Sequence, residues 1–116
     1  MPRNLVSPAM GSYHLQGMSN ETGLPVDEHI LINEHGNIDS WANLGTEDSH
    51  IYLCPSWGHI GLRTPLLRVG PQVMRRYELL FMDDGTWALI KYENTPPSVQ
   101  PGPAQVVAGG TYTQNP

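Results

Sequence analysis

Glycine and proline divide this chain into pieces that are too short for long helices. The sequence has 12 glycines and 11 prolines, and no stretch shows the sustained 3.6-residue spacing of apolar side chains that marks an amphipathic helix. Between the turn-forming residues lie short runs rich in branched and aromatic side chains. Turn signals at intervals of about eight to twelve residues are typical of antiparallel strands. We therefore predict a mainly β fold, a small antiparallel β-sandwich or barrel.

The strongest local signal is a β-hairpin over residues 76–93. Two apolar runs flank a turn that ends at Gly85, and glycine there supplies the positive φ that tight hairpin turns require. Because side chains alternate along a strand, Tyr77, Leu79 and Phe81 share one face of the first run. Neither face of the hairpin is wholly polar, which predicts a strand pair that is either buried on both sides or covered by a neighbour.

Weaker signals complete the predicted β domain. A second hairpin is predicted over residues 29–41 and a third strand over residues 49–54. Residues 60–69 hold another candidate strand, which Pro65 interrupts because proline cannot donate a ladder hydrogen bond. A short helical turn is predicted over residues 71–76, since proline is accepted at the first position of a helix.

Both ends of the chain predict extended arms. Residues 1–23 and 94–116 contain seven of the 11 prolines and six of the 12 glycines, but their only charged side chains are Arg3 and Glu21. Segments of this composition fill a core poorly, and the proline-rich start of the second favours polyproline II. We therefore predict an N-terminal arm, a β domain over residues 24–93 and a C-terminal arm.

The predicted C-terminal arm has two further features. Residues 104–108 are expected to form a short strand of the kind that can add to a neighbour's sheet edge. Gly109 and Gly110 are expected to act as a hinge for the last six residues. Deletion of residues 94–116 is then expected to leave a soluble β domain that no longer assembles.

Composition indicates that part of the surface is covered by other protein. Charged residues make up 15% of the chain, against about 25% in an ordinary soluble domain. A core of about 70 residues is marginal by itself. We expect a homo- or hetero-oligomer whose partners are copies of the chain or a larger protein lattice.

The charges are unevenly distributed. No basic residue lies between Arg3 and Arg63, where seven acidic residues occur, and four of the six basic residues fall within residues 63–76. Two outcomes stay open: ion pairs within one fold, or head-to-tail contacts between copies. The predicted partner-binding residues are Arg63, Arg68, Arg75, Arg76, Val99, Val106, Val107 and Tyr112. Four arginines without interleaved aromatic residues make a poor phosphate footprint, so no nucleic-acid partner is predicted.

The sequence predicts neither secretion nor membrane insertion. The apolar stretch near the N-terminus is short and contains Pro8, unlike a signal peptide. No apolar run approaches the length of a membrane span. Cys54 is the only cysteine, which excludes an internal disulfide. We expect synthesis in a cytoplasm, with incorporation into a virus particle as one destination.

No arrangement of residues predicts catalysis, a cofactor or a metal. The five histidines show no short ligand spacing and are interpreted as surface or turn residues: His14, His29, His35, His50 and His59. Cys54, Ser56 and His59 lie close in sequence, but catalytic groups are brought together by the fold, so this proximity says little. Cys54 ends an apolar run and is interpreted as a small core residue.

The favoured function is therefore non-enzymatic. We predict a structural or assembly protein, of the kind that decorates capsids or occurs in head-tail or baseplate structures, with arms that contact neighbouring subunits. The alternative is a carbohydrate-binding β module in which Trp41, Trp57 and Trp87 stack against sugar rings.

Overall fold

The computed structural model describes residues 4–48, 50–100 and 102–115. Parts of both predicted arms (residues 1–3, 101 and 116) and the first residue of the predicted strand 49–54 lie outside the described residues. Within those ranges there is no helix that is long and apolar enough to cross a membrane. The strands in the described ranges are β1 (Leu5–Val6), β2 (Gly11–Ser19), β3 (Pro25–Ile32), β4 (Cys54–Pro55), β5 (Leu62–Arg63), β6 (Leu67–Gly70), β7 (Val73–Met82), β8 (Thr86–Glu93) and β9 (Gln105–Gln114).

These strands form one antiparallel sheet that curls into a half-barrel. The order is β3-β2-β9-β8-β7-β5-β4, and β1 and β6 also pair with β7. Along its length β7 therefore meets three short strands on one side, β6 at its start, β5 near its middle and β1 at its end. The predicted mainly β, antiparallel fold is confirmed, whereas a sandwich of two sheets is not.

The prediction of extended terminal arms is not confirmed. β2 comes from residues 1–23 and β9 from residues 94–116, and β9 lies between β2 and β8. Both strands contribute to the hydrophobic core, for example through Leu15 and Val107. Four of the six glycines of these segments, Gly11, Gly17, Gly109 and Gly110, lie within strands, where small residues permit close approach of neighbouring backbones. Gly110 is accordingly part of a strand and does not form the predicted hinge.

A long loop between β3 and β4 fills one face of the sheet. Its apolar side chains join the same core cluster as those of the sheet: Ile38, Ala42, Leu44, Ile51 and Leu53. The predicted hairpin 29–41 and strand 49–54 are reduced here to isolated bridges, Ile32 with Ile38 and Ala42 with Ile51. The apolar side chains of this segment thus fill the core, and few of its residues add hydrogen-bonded pairs to the sheet.

The predicted hairpin 76–93 is present as β7 and β8, with Gly85 at φ 84° in the turn. Tyr77, Leu79 and Phe81 are buried on one face. The opposite face is partly buried, through Glu78, Met82 and Ile90.

The predicted helical turn 71–76 is wrong. Gln72 turns the chain with φ 60°, and Val73 already begins β7. Residues 67–70 form β6, which pairs with the start of β7. Strand pairing between β6 and β7 therefore outweighs the tendency of Pro71 to begin a helical turn. Pro65 does interrupt the predicted strand 60–69, leaving β5 before it and β6 after it.

Two glycines and a tryptophan lie side by side across the centre of the sheet. Gly17 of β2 pairs with Gly110 of β9, which pairs with Trp87 of β8. The Trp87 indole Nε1 donates a hydrogen bond to the Gln16 carbonyl oxygen at 3.1 Å. The indole can reach β2 from β8 because neither glycine carries a side chain between them, and packing of an aromatic ring against glycine is a known stabilising arrangement in sheets.

The buried phenol of Tyr77 should make the protein less stable at alkaline pH. Burial raises the pKa of its phenol well above the usual value, and the nearby carboxylates of Glu21 and Asp48 raise it further. The unfolded chain releases this proton near pH 10 whereas the folded chain retains it. The unfolding free energy should therefore be at its full value below about pH 10 and fall as the pH rises further, by about 1 kcal/mol per pH unit for this group.

Urea titrations of the wild type and of Tyr77→Phe at pH 8 and pH 11 measure this effect. We expect the substitution to reduce the loss between the two pH values. An equal loss in both proteins would show that Tyr77 does not cause it, leaving the phenols of Tyr13, Tyr92 and Tyr112, whose pKa values burial also raises.

Candidate functional site

A cleft of about 470 Å³ lies on the face of β7 and β8 that points away from Tyr77 and Leu79. We call it the arginine cleft. Its lining combines apolar and cationic side chains: His59, Arg63, Leu66, Met74, Arg76, Tyr92, Asn94 and Val99. An apolar concavity with a few convergent polar groups is the usual form of a binding site.

Asn94 fixes one wall of the arginine cleft. Its side-chain amide donates hydrogen bonds to the carbonyl oxygens of Gln72 and Ser98, both at 2.8 Å. Its side-chain oxygen accepts a hydrogen bond from the Met74 amide at 2.6 Å. The loop that follows β8 is therefore tied to the start of β7, and Val99 on that loop is held at the cleft while 86% exposed.

Arg63 supplies the central cation. β5 places it directly opposite Glu78 of β7. Its Nη1 donates a hydrogen bond to His59 Nε2 at 2.9 Å, and its guanidinium lies 5.8 Å from the centre of the Tyr92 ring. Its buried Nε has no hydrogen-bond partner among the described residues. An unpaired buried donor is costly, and the Glu78 carboxylate 3.9 Å away is the nearest anionic group that the structure gives it.

Glu78 partly compensates the positive charge. Its side chain is only 7% exposed, and one carboxylate oxygen lies 3.9 Å from Arg63 Nε and 3.8 Å from His59 Nδ1. The other oxygen accepts a hydrogen bond from the Tyr92 hydroxyl at 3.3 Å. Burial, together with the Glu78 carboxylate, raises the pKa of Tyr92, so this phenol remains a neutral donor.

Arg76 makes the arginine cleft cationic overall. Its Nε donates a hydrogen bond to the Thr64 carbonyl oxygen at 3.1 Å, which anchors the guanidinium beside Leu66. Two guanidinium groups thus line the cleft, and the Glu78 carboxylate lies near that of Arg63. Such a surface suits an anionic oxygen, best a carboxylate, attached to an apolar group.

Arg75 and Arg68, which belong to the same predicted set, lie elsewhere. Arg75 is held within the fold by ion pairs with Asp48 at 3.0 Å, Glu93 at 2.7 Å and Glu47 at 3.5 Å. Burial lowers the pKa of its guanidinium, but hydrogen bonds to Asp48 and Glu93 outweigh that effect and raise it. Arg68 lies exposed on β6.

The predicted apolar contact residues are also divided. Val99 lines the arginine cleft, and Val106 is exposed on β9. Val107 is buried, and the Tyr112 ring packs edge-on against Phe81 while its hydroxyl donates to the Met82 carbonyl oxygen at 2.8 Å. Val107 and Tyr112 therefore stabilise the fold.

The three tryptophans do not form one platform. Trp87 is 1% exposed, so no sugar ring can stack against it. Trp41 is exposed and lies tilted against Tyr52, with ring centres 5.8 Å apart. Trp57, at 98% exposure, lies at the tip of the turn between Ser56 and His59. Sugar stacking by Trp41 and Trp57 stays a prediction.

Cys54 does not have the environment of an activated nucleophile. It lies on β4 opposite Arg63 and is partly buried. Burial raises the pKa of its thiol, whereas a nucleophilic cysteine needs a lowered pKa.

Sequence reasoning missed one cluster of polar side chains. β2 and β3 place His14 directly opposite His29, and their rings stack with centres 4.1 Å apart. Asp27 contacts His14 Nε2 through a carboxylate oxygen. Antiparallel pairing of residues 11–19 with 25–32 is the signal that could have found the cluster. The composition of residues 1–23 instead favoured an extended arm, which contains His14. No protein-family model, curated protein or solved structure matches this chain.

Proposed function

We propose that this protein is a non-enzymatic assembly subunit that binds copies of itself head to tail through the arginine cleft. The observation that supports this most directly is the combination of two arginines, Arg63 and Arg76, with exposed apolar walls in one cleft. An acidic side chain of the next copy, with its apolar neighbours, fits this chemistry. The chain itself supplies both complementary surfaces.

The apolar walls provide the binding energy. Leu66 is 52% exposed and Val99 is still more exposed, although both line a concave surface. Covering a leucine or valine side chain removes apolar surface from water at about 25 cal/mol per Å². A small group of buried anchors beside a charged pair is the usual composition of an interface hot spot.

Charge determines the direction of assembly. β3 lies at the opposite end of the strand order from β5 and β4. Asp27, Glu34 and Asp39 are exposed on β3 or the loop that follows it. The exposed acidic side chains and the arginine cleft are different surfaces of the chain, and contacts between unlike surfaces are heterologous, which generates rings or filaments. The net charge of −5 leaves the acidic surface in excess.

A virion component is the finer proposal. Capsid-decorating, head-tail and baseplate proteins act in repeating arrays, which heterologous contacts produce. This part is supported by composition, namely low charge and abundant glycine and proline.

Light scattering over a range of protein concentrations tests the proposal. We expect species larger than the 12.8 kDa monomer. Leu66→Asp, and separately Arg76→Glu, should raise the dissociation constant at least about 30-fold, as removal of an interface hot spot of about 2 kcal/mol does. Added salt should weaken the wild-type assembly, because the contact includes charges near the surface.

Met10→Asp is the matched control, since Met10 is as exposed as a cleft residue but does not line the cleft. It should leave assembly unchanged. A wild type that stays monomeric at millimolar concentration contradicts self-assembly. Assembly that Leu66→Asp and Arg76→Glu leave intact would place the contact outside the arginine cleft.

A further inference from the structure

We propose that His14, His29 and Asp27 form a binding site for a divalent transition-metal ion, with Zn²⁺ as the expected ligand. Each residue offers one ligand atom, and these three atoms lie within 4.8 Å of one another. The site is on the outer face of the β2–β3 hairpin. It is separate from the arginine cleft, although Asp27 is also one of the exposed acidic residues named for assembly, and binding of an ion does not require assembly.

The register of the hairpin brings the ligands together. His14 and His29 are direct cross-strand partners, and Asp27 lies two positions before His29 on the same face of β3. Directly opposed residues have Cβ atoms about 5 Å apart. Side chains of this length can therefore converge on one ion without movement of the backbone.

The turn fixes that register. Ser19 donates its amide hydrogen to the Leu24 carbonyl oxygen at 2.9 Å. Its hydroxyl accepts hydrogen bonds from the amides of Glu21 and Thr22 at 3.2 and 3.1 Å. Gly23, at φ 73°, permits the chain to reverse. The two histidines are thus held in position before any ion binds.

The donor set identifies the class of metal. Two imidazoles and one carboxylate suit zinc and other ions of the late first transition row, whereas Ca²⁺ and Mg²⁺ require oxygen donors. Two ligands of a tetrahedral zinc ion are about 3.4 Å apart. Since His29 and Asp27 are exposed, side-chain rotation can adjust the present spacings, widening the direct contact between Asp27 and His14 Nε2 where the ion enters. Coordination positions beyond these three are open to water or to a donor from another molecule.

The ligand side chains are already in contact with one another. Asp27 contacts Nε2 of His14, and the two imidazole rings stack with centres 4.1 Å apart. The fold therefore gathers the three donor groups before any ion binds, and an imidazole that carries a proton releases it when metal binds.

Zn²⁺ titration of the full chain in competition with a chromophoric chelator tests the site. We expect one ion per chain. His14→Gln and His29→Gln should each weaken binding at least about tenfold, because even outer-shell partners of a metal cost that much when removed. Asp27→Asn should weaken binding in the same direction.

His35→Gln is the matched control: His35 is an exposed histidine beside a carboxylate, Glu34, as His14 is beside Asp27, but it is not part of the three-residue group. It should leave the affinity unchanged. Equal affinity of the wild type and His14→Gln would overturn the proposal, as would an equal loss in His35→Gln.

Paramagnetic Co²⁺ added to the wild type provides a second measurement that needs no variant. The largest NMR shifts should fall on His14, Asp27 and His29. Shifts centred on His50 or His59 would overturn the proposal.

Discussion

A chain that ends before β9 should not fold. Removing residues 105–116 is expected to abolish the cooperative unfolding transition, because β9 connects the two hairpins of the sheet. It pairs with β2 over seven residues and with β8 over six. Without it, the β2–β3 hairpin and the β7–β8 hairpin have no common neighbour. An isolated two-stranded hairpin is marginally stable at best in water.

The loss is larger than that of the hydrogen bonds alone. Val107 and Ala108 belong to the core, and Tyr112 packs against it. Their removal exposes Leu15 and Leu89, which lie opposite β9 in the sheet. Native domains are stable by only about 5–15 kcal/mol, so the truncated chain should be unfolded at 25 °C. This reverses the expectation that deletion of residues 94–116 leaves a soluble domain.

Far-UV circular dichroism and dispersion of amide NMR signals measure the effect. A chain that ends at Gln114 retains all of β9 and is the control for shortening the terminus. It should keep a two-state urea transition. A folded, monomeric protein lacking residues 105–116 would contradict the central place of β9.

A methyl group at position 110 should destabilise the protein by about 3 kcal/mol or more. A Cβ atom on Gly110 would lie 1.9 Å from the Gln16 carbonyl oxygen, and one on Gly17 would lie 1.9 Å from that of Gly109. The obstacle is backbone in both cases, so no side-chain rotation relieves it. β2 and β9 must move apart, which lengthens their hydrogen bonds and disturbs the Trp87 indole that donates to Gln16.

Urea unfolding of Gly110→Ala and Gly17→Ala measures this effect, and Gly70→Ala is the control. A Cβ on Gly70 would make ordinary contact with Val73 at 3.7 Å. That substitution should be neutral or stabilise by up to about 1 kcal/mol, because it reduces the entropy of the unfolded chain. Equal midpoints for Gly110→Ala and Gly70→Ala would show that the two strands can separate without cost.

The hairpin over residues 76–93 was the element best predicted from the sequence, because its signals are local. In the 76–93 hairpin, alternation of side chains and a glycine at the turn both depend on residues close in sequence. The segment 29–54 was less predictable, since its apolar residues serve a core cluster and make few ladder pairs. A strand and a buried loop can present similar short apolar runs.

The arginine cleft was harder to predict, because its residues come together only through the pairing of strands that are distant in sequence. Arg63 and Arg76 were selected because of their charge, but their convergence with Leu66 and Val99 requires β5, β7 and the loop after β8. Arg75, adjacent to Arg76, points to the other face and pairs with acidic residues of its own chain. Consecutive residues on a strand point to opposite faces, so Arg75 and Arg76 have different surroundings. Which surroundings each one has is known only once the structure shows what covers each face.

The sequence by itself determined a mainly β chain, since frequent glycine and proline exclude long helices and branched residues between them favour strands. Only the tertiary structure decided that Gly11–Ser19 and Gln105–Gln114 are strands. Their glycine content suggested arms by composition, but at Gly17 and Gly110 the lack of a side chain is what allows two strands to approach and a tryptophan to cover them. The advantage of glycine there depends on contacts across about 90 residues of chain, which no local pattern records.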